Sequence, residues 1–115
     1  MSETKAIIQK IRKFRDERDW MQFHDSKNMA ISIVIEAAEL LENFQWKTQE
    51  EVERYVKEHK GDIEEEIADI AIYLFELADN LGIDLTEAME KKLEKNAKKY
   101  PVDKARGKHT KYNKL

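Results

Sequence analysis

The chain has 115 residues, of which 39% are charged, and it contains three glycines, one proline and no cysteine. This length fits one domain, and the scarcity of Gly and Pro favours long helices over a turn-rich β fold. The lack of cysteine excludes disulfides, thiolate metal sites and cysteine nucleophiles. No apolar run approaches the roughly 18 residues of a membrane span, and the first residues lack the apolar core of a signal peptide. We therefore expect a soluble, cytoplasmic protein with no membrane partner.

The formal net charge of −3 conceals an uneven distribution along the chain. Residues 1–90 carry a formal charge of −11, whereas residues 91–115 carry one of +8. We therefore expect a domain of residues 1–100 followed by a basic tail of residues 101–115. The tail is either an ordinary solvated segment or a surface that meets the phosphates of a small molecule or a nucleic acid.

Helical periodicity dominates the whole chain and predicts an all-α protomer built as a bundle of four to five helices. A loop over residues 19–25 separates the first two of them. The predicted helices, in chain order, are Ser2 or Thr4 to about Arg18, Asp25 or Ser26 to about Phe44, Thr48 to about His59, Asp62 to about Leu81, and Asp84 or Thr86 to about Lys99.

Capping residues and helix breakers set these boundaries. Thr48 followed by Glu51 fits a capping box, and Gly61 interrupts the chain before the fourth helix. Gly82 occupies the position that a glycine takes after a helix C-terminus. Pro101 ends the last helix, and the residues after it show no helical period.

The second and fourth predicted helices are apolar around nearly their whole circumference, so neighbours should bury them on most sides. Each helix nevertheless carries one narrow polar stripe at helical spacing. The stripes consist of Ser32, Glu36, Glu39 and Asn43 on the second helix, and of Asp62, Glu66, Asp69, Tyr73, Glu76 and Asn80 on the fourth. Each stripe thus contains a carboxylate pair at i, i+3.

Four carboxylates that face one another in a buried interface repel strongly unless a cation lies between them. No Lys or Arg occupies the middle of either stripe, whereas oxygen-only sites suit Mg²⁺, Mn²⁺ or Ca²⁺. A di-iron site is excluded because neither pair has the His three residues on that such bundles use. Unless the stripes point to solvent and never meet, the pattern predicts a hard-cation site and phosphoryl chemistry. Its ligands are Glu36, Glu39, Glu66 and Asp69.

Three further stretches carry a resemblance to a known family. They are residues 14–24 (FRDERDWMQFH), residues 44–47 (FQWK) and residues 65–74 (EEIADIAIYL). Together with Glu36-x-x-Glu39 and Glu66-x-x-Asp69, these stretches resemble the MazG-like all-α nucleoside triphosphate pyrophosphohydrolases, and within them a dCTP pyrophosphatase branch. The ending Asn96…Tyr100-Pro101 is also similar to that branch.

The resemblance implies a homotetramer that cleaves a deoxynucleoside triphosphate, dCTP or a related pyrimidine nucleotide, to monophosphate and pyrophosphate. It implies a catalytic metal set that holds Mg²⁺, with Mn²⁺ as a substitute, and a group of residues around the nucleotide. The metal set is Glu36, Glu39, Glu66 and Asp69, and the nucleotide group is Trp20, His24, Trp46 and Tyr73. Lys92, Asn96 and Lys99 are candidates for phosphate contacts. Because Ile11 stands where that branch has a His, we expect a broader pyrimidine preference.

The residues alone leave other functions open. The same site could act on another substrate, either a broad set of triphosphates or phosphoribosyl-ATP. A noncatalytic helical module that binds nucleic acid through the basic tail is the second alternative, but the acidic body and the lack of a helix-turn-helix pattern argue against a stable nucleic-acid partner. Likewise, Trp20 and Trp46 could stack on a base or fill an interface.

Overall fold

The computed structural model of the protein describes residues 2–115, and all regular secondary structure in this range is helical. Two single-turn 3₁₀ helices, Met21–Phe23 and Tyr112–Lys114, supplement six α-helices. These are α1 (Glu3–Glu17), α2 (Ser26–Glu42), α3 (Gln49–Glu58), α4 (Lys60–Asn80), α5 (Leu85–Lys99) and α6 (Val102–Ala105). The all-α prediction is confirmed. None of the helices within residues 2–115 is long and apolar enough to cross a membrane.

Side chains cap four of the helices at positions that the sequence predicts. The Ser2 hydroxyl accepts a hydrogen bond from the backbone of α1, and the Asp25 and Asp84 carboxylates do the same for α2 and α5. At the start of α3, Thr48 and Glu51 form the predicted capping box, with both of its bonds at 3.2 Å. Each such cap satisfies a backbone N–H that the helix leaves unpaired.

Two predicted boundaries are wrong. Gly61 does not interrupt the chain but lies in the first turn of α4, which begins at Lys60. The break falls two residues earlier, at His59, whose backbone is non-helical. The cost of a glycine in a helix is conformational entropy of about 1 kcal/mol, which does not by itself stop a helix. At the other end of α2, the helix stops at Glu42 rather than Phe44, and the chain turns through a positive φ of 67° at Trp46.

The chain divides into two compact units, residues 1–82 and 83–115. In the first unit, α4 is the central element, since α1, α2 and α3 all pack against it. The buried apolar side chains come from three of these helices: Ile11 of α1, Met29 of α2, and Ile63 and Ala78 of α4. This arrangement sets the polar stripe of α2 beside that of α4.

Most apolar side chains of α2 and α4 stay exposed within a single chain. The largest exposed fractions on these helices are those of Val34 at 68%, Leu41 at 57% and Ile67 at 53%. Ile31, Ile35, Ile72 and Leu74 are also more than two-fifths exposed. The sequence predicts that neighbours bury these apolar faces of α2 and α4. The other helices of the first unit do not cover them.

The second unit contains α5, α6 and the last 3₁₀ helix. The rings of Tyr100 and Tyr112 meet edge to face with their centroids 6.1 Å apart, and Lys99 Nζ lies 4.7 Å from the Tyr112 ring centroid. The residues after Pro101 thus contain two short helical segments, although the sequence predicts no helical period there. The division into residues 1–100 and a basic tail stays a prediction.

Candidate functional site

Three carboxylates converge where α2 packs against α4. Glu36 and Glu39 lie one turn apart on α2, and Glu66 faces them from α4. One carboxylate oxygen of each lies within 4.8 Å of the others. The predicted polar stripes of the two helices therefore meet. Asp69 lies outside this trio, yet it is near enough that its charge raises the pKa of Glu36 and of Glu66.

The electrostatics of this acid cluster are unfavourable without a cation. Burial, followed by the hydrogen bond and charge of Glu39, raises the pKa of Glu36 from 4.5 to about 7. Burial and the charge of Glu39 also raise the pKa of Glu66. The Oε2 atoms of Glu36 and Glu66 are both buried without a hydrogen-bond partner within residues 2–115. Orphaned buried carboxylate oxygens in an oxygen-only donor set are what a hard divalent cation binds, so these residues fit such an ion.

A cavity of about 420 Å³ opens between α1, the segment after it and α4. Apolar and aromatic side chains form much of its wall, namely Ile7, Ile11, Phe14, Trp20 and Ile72. The ring of Trp20 packs edge to face on Phe14 at 5.6 Å and lies 6.4 Å from the His24 ring, measured between centroids. Asp69 also lines the cavity, so the cavity adjoins the acid cluster. An aromatic-lined pocket next to a cation site suits a ligand that has an aromatic ring and an anionic group.

Arg15, His24 and Glu76 also line the cavity, and they belong to one polar network. His24 Nδ1 lies 2.7 Å from Glu76 Oε2, and Asn80 Nδ2 donates to the same oxygen at 3.2 Å. Asn80 Oδ1 in turn accepts a hydrogen bond from Arg15 Nη1 at 3.0 Å. The paired Asp16 carboxylate raises the pKa of Arg15, and the charge of Glu76 acts in the same direction. The network links α1, the 3₁₀ segment and α4, and it fixes the ring of His24.

The structure brings some of the predicted nucleotide residues together and leaves others apart. Trp20, His24 and Tyr73 all line the cavity, and burial raises the pKa of the Tyr73 phenol. Trp46 does not line it; its side chain is 92% exposed in the turn after α2. Lys92 and Asn96 lie on α5 in the second unit. For all of these residues, contact with a nucleotide stays a prediction.

Sequence reasoning gave no role to two residues of the network. Glu76 belongs to the predicted stripe of α4, seven residues after Asp69, and that spacing was the only signal for it. Arg15 is 9% exposed although it is charged. Its position four residues after Ile11 continues the apolar face of α1, and this was the available sequence signal for it.

Comparisons with known proteins point to one family. A family model described as the MazG-like family matches residues 31–115. The chain is 40% identical over 104 residues to dCTP pyrophosphatase 1 of Bos taurus, and 38% identical to that of Homo sapiens. These matches cover 89% of this chain but only 62% and 61% of the two relatives, so the chain spans about three-fifths of their length.

A solved structure is also similar. The crystal structure of a pyrophosphatase from Archaeoglobus fulgidus superimposes with a TM-score of 0.84 at 45% sequence identity. The match covers 88% of this chain and 94% of that one.

Proposed function

Because the chain belongs to the MazG-like family, we propose that it is a divalent-metal-dependent pyrophosphohydrolase of deoxynucleoside triphosphates. Its products are a monophosphate and pyrophosphate, and its preferred substrates are pyrimidine nucleotides such as dCTP. The name of two relatives, dCTP pyrophosphatase 1, supports this class of substrate, and the name of the solved structure supports pyrophosphatase activity. The observation that carries the proposal is the acid cluster with two orphaned buried oxygens beside an aromatic-lined cavity.

In this proposal, Mg²⁺ is the resident ion, with Mn²⁺ as a substitute, and four carboxylates would hold it. These are Glu36, Glu39, Glu66 and Asp69. When bound, the ion supplies Lewis-acid polarisation of the α-phosphate and offsets the charge that the triphosphate adds to the acids. A carboxylate of the cluster that remains free to accept a proton acts as the base for the attacking water. The water attacks the α-phosphorus, and pyrophosphate leaves.

The cavity holds the nucleoside in this proposal. Trp20 and Phe14 offer aromatic surface for the base, and His24 and Tyr73 offer polar atoms to the base and sugar. Ile11 forms part of the apolar wall, so the base receives no hydrogen bond at that position. Lys92 and Asn96 on α5 contact the phosphates, where Lys92 balances part of the charge of the leaving group.

We further propose that the active protein is a homotetramer. The exposed apolar faces of α2 and α4 support association, because contiguous apolar surface of this kind on a soluble protein marks an interface. Binding of nucleic acid is not part of the proposal, since residues 1–90 carry a formal charge of −11.

The test is a panel of deoxynucleoside and ribonucleoside triphosphates with Mg²⁺, scored for pyrophosphate against orthophosphate. We expect pyrophosphate from pyrimidine deoxynucleotides, no turnover in excess EDTA, and loss of turnover in a folded Asp69→Asn variant. Glu64→Gln, which changes an exposed acid of α4, serves as the matched control and keeps its activity. Release of orthophosphate, or full turnover in EDTA, would contradict the proposal.

A further inference from the structure

Glu76 is a buried acid of the cavity that the proposed chemistry does not use. Its side chain is 4% exposed, yet it lines the cavity together with Asp69 and Tyr73. These three residues lie at i, i+4 and i+7 on α4, so they share one face of the helix. Asp69 and Glu76 are about 10 Å apart along the helix axis. A nucleotide whose phosphates lie at the acid cluster therefore reaches toward Glu76 with its base.

Within residues 2–115, the side-chain hydrogen bonds to the Glu76 carboxylate are made by Oε2. Oε2 accepts from Asn80 Nδ2 and is paired with His24 Nδ1. In the arrangement used below, His24 Nδ1 donates and the Glu76 carboxylate oxygen accepts. Arg15, itself bonded to Asn80, keeps that amide oriented with its NH₂ group toward Glu76. Because Glu76 lines the cavity and these bonds are made by Oε2, Oε1 is left for a ligand, and the bonds at Oε2 hold the carboxylate in place.

We propose that Glu76 determines base specificity by presenting Oε1 as a hydrogen-bond acceptor to an amino group of the base. This inference rests on the proposed function and specifies its substrate class. Among pyrimidines it selects cytosine, whose 4-amino group donates, over uracil and thymine, whose 4-carbonyl oxygen only accepts. Two acceptors placed face to face in a cavity are both left unpaired, and a site of this kind rejects the wrong base strongly.

The fixed surroundings of Glu76 predict the behaviour of Glu76→Gln. The amide oxygen of the new side chain takes the place of Oε2, because His24 Nδ1 and Asn80 Nδ2 both donate there. The amide NH₂ group then faces the cavity, where Glu76 had an acceptor. A donor at this position pairs with the 4-carbonyl of uracil and not with the 4-amino group of cytosine. The variant therefore reverses the preference rather than merely weakening it.

The experiment compares kcat/KM for dCTP and dUTP in wild type, Glu76→Gln and the Glu64→Gln control. The two bases differ at the 4-position, where cytosine donates and uracil accepts, and at N3, where cytosine accepts and uracil donates. We expect the wild type and the control to prefer dCTP by about ten- to hundredfold. In Glu76→Gln we expect the ratio of kcat/KM for dCTP to kcat/KM for dUTP to fall below one, with pyrophosphate still released. Melting temperatures establish that each variant is folded. If Glu76→Gln does not fold, Glu76→Met replaces it; this side chain has no polar group and brings the ratio near one.

The outcomes separate this inference from the proposed function. Equal kcat/KM for dCTP and dUTP in the wild type, with pyrophosphate released from both, overturns the role of Glu76 and leaves the proposed function intact. An unchanged ratio in a folded Glu76 variant overturns it as well, because a purely structural role changes stability and not the ratio. Failure to release pyrophosphate from any nucleotide overturns the proposed function itself.

Discussion

Replacing Glu36 by Gln should stabilise the metal-free protein at alkaline pH. In the folded chain the pKa of Glu36 is raised from 4.5 to about 7, chiefly by burial. The folded state therefore binds this proton more tightly than the unfolded state, and unfolding releases it at intermediate pH. The free energy of unfolding that the protonated Glu36 carboxyl contributes is fully present below pH 4.5, and it is lost as the pH rises from 4.5 through about 7. Gln carries no charge at any pH and does not incur this loss.

The size of the expected stabilisation follows from how far the pKa of Glu36 is raised. A change from 4.5 to about 7 corresponds to at most about 3 kcal/mol. Glu36 is partly exposed, so solvent screening reduces this to about 1 kcal/mol. In a chain of 115 residues, that corresponds to a Tm difference of about 4 °C. We expect Glu36→Gln to exceed the wild type by this amount at pH 8 and to match it at pH 5.

The assay is thermal unfolding in EDTA at a fixed protein concentration, followed by circular dichroism at several pH values. Glu64→Gln is the control for loss of an exposed charge and should follow the wild type throughout. Adding Mg²⁺ at pH 8 should raise the Tm of the wild type more than that of Glu36→Gln, because a bound ion stabilises only the state that binds it. A wild-type Tm that does not fall between pH 5 and pH 8 in EDTA would refute the electrostatic reasoning. So would a Glu36→Gln variant that is less stable than the wild type at pH 8.

Two further predictions concern the exposed apolar residues. Sedimentation at micromolar concentration should give a mass four times the 13.7 kDa of one chain. Val34→Lys places a charge on the exposed face of α2 and should shift the protein to smaller species. A wild-type mass of one chain would contradict the tetramer. Trp46→Ala should raise the KM for dCTP by about ten- to hundredfold if the indole stacks on the base. The value of kcat should change little, because stacking is equal in the ground and transition states. An unchanged KM in steady-state kinetics would indicate that the Trp46 side chain packs in an interface and does not contact the base.

Local signals were sufficient to predict the helices and the acid cluster from the sequence. The caps at Asp25 and Thr48 depend on residues three positions apart, and the structure contains both. The meeting of Glu36 and Glu39 with Glu66 was also predictable, because each pair lies on one face of a helix that is otherwise apolar. The structure packs these two helices with their polar stripes together, and in the proposed function a divalent cation offsets the charge of the stripes.

The polar network could not be predicted in the same way. Its two long-range bonds join residues 52 and 65 positions apart, His24 to Glu76 and Arg15 to Asn80. No periodicity connects such positions; only the packing of α1 on α4 does. The position of Trp46 depends on a turn with a positive φ, which a bulky residue rarely adopts. The sequence alone therefore did not show that Trp20 lines the cavity and that Trp46 does not.

Because Asp69, Tyr73 and Glu76 lie on one uninterrupted helix, their separation depends only on the number of residues between them. Inserting or deleting a single residue there rotates the following side chains by about 100° and moves them by about 1.5 Å along the axis. Glu76 would then leave the cavity wall and its bond to His24 would be lost. Substitutions along this stretch change the side chains of the wall without changing the spacing of their positions along the helix. Natural or engineered variants that differ in length should therefore differ in the segments between helices, and not between residues 66 and 80.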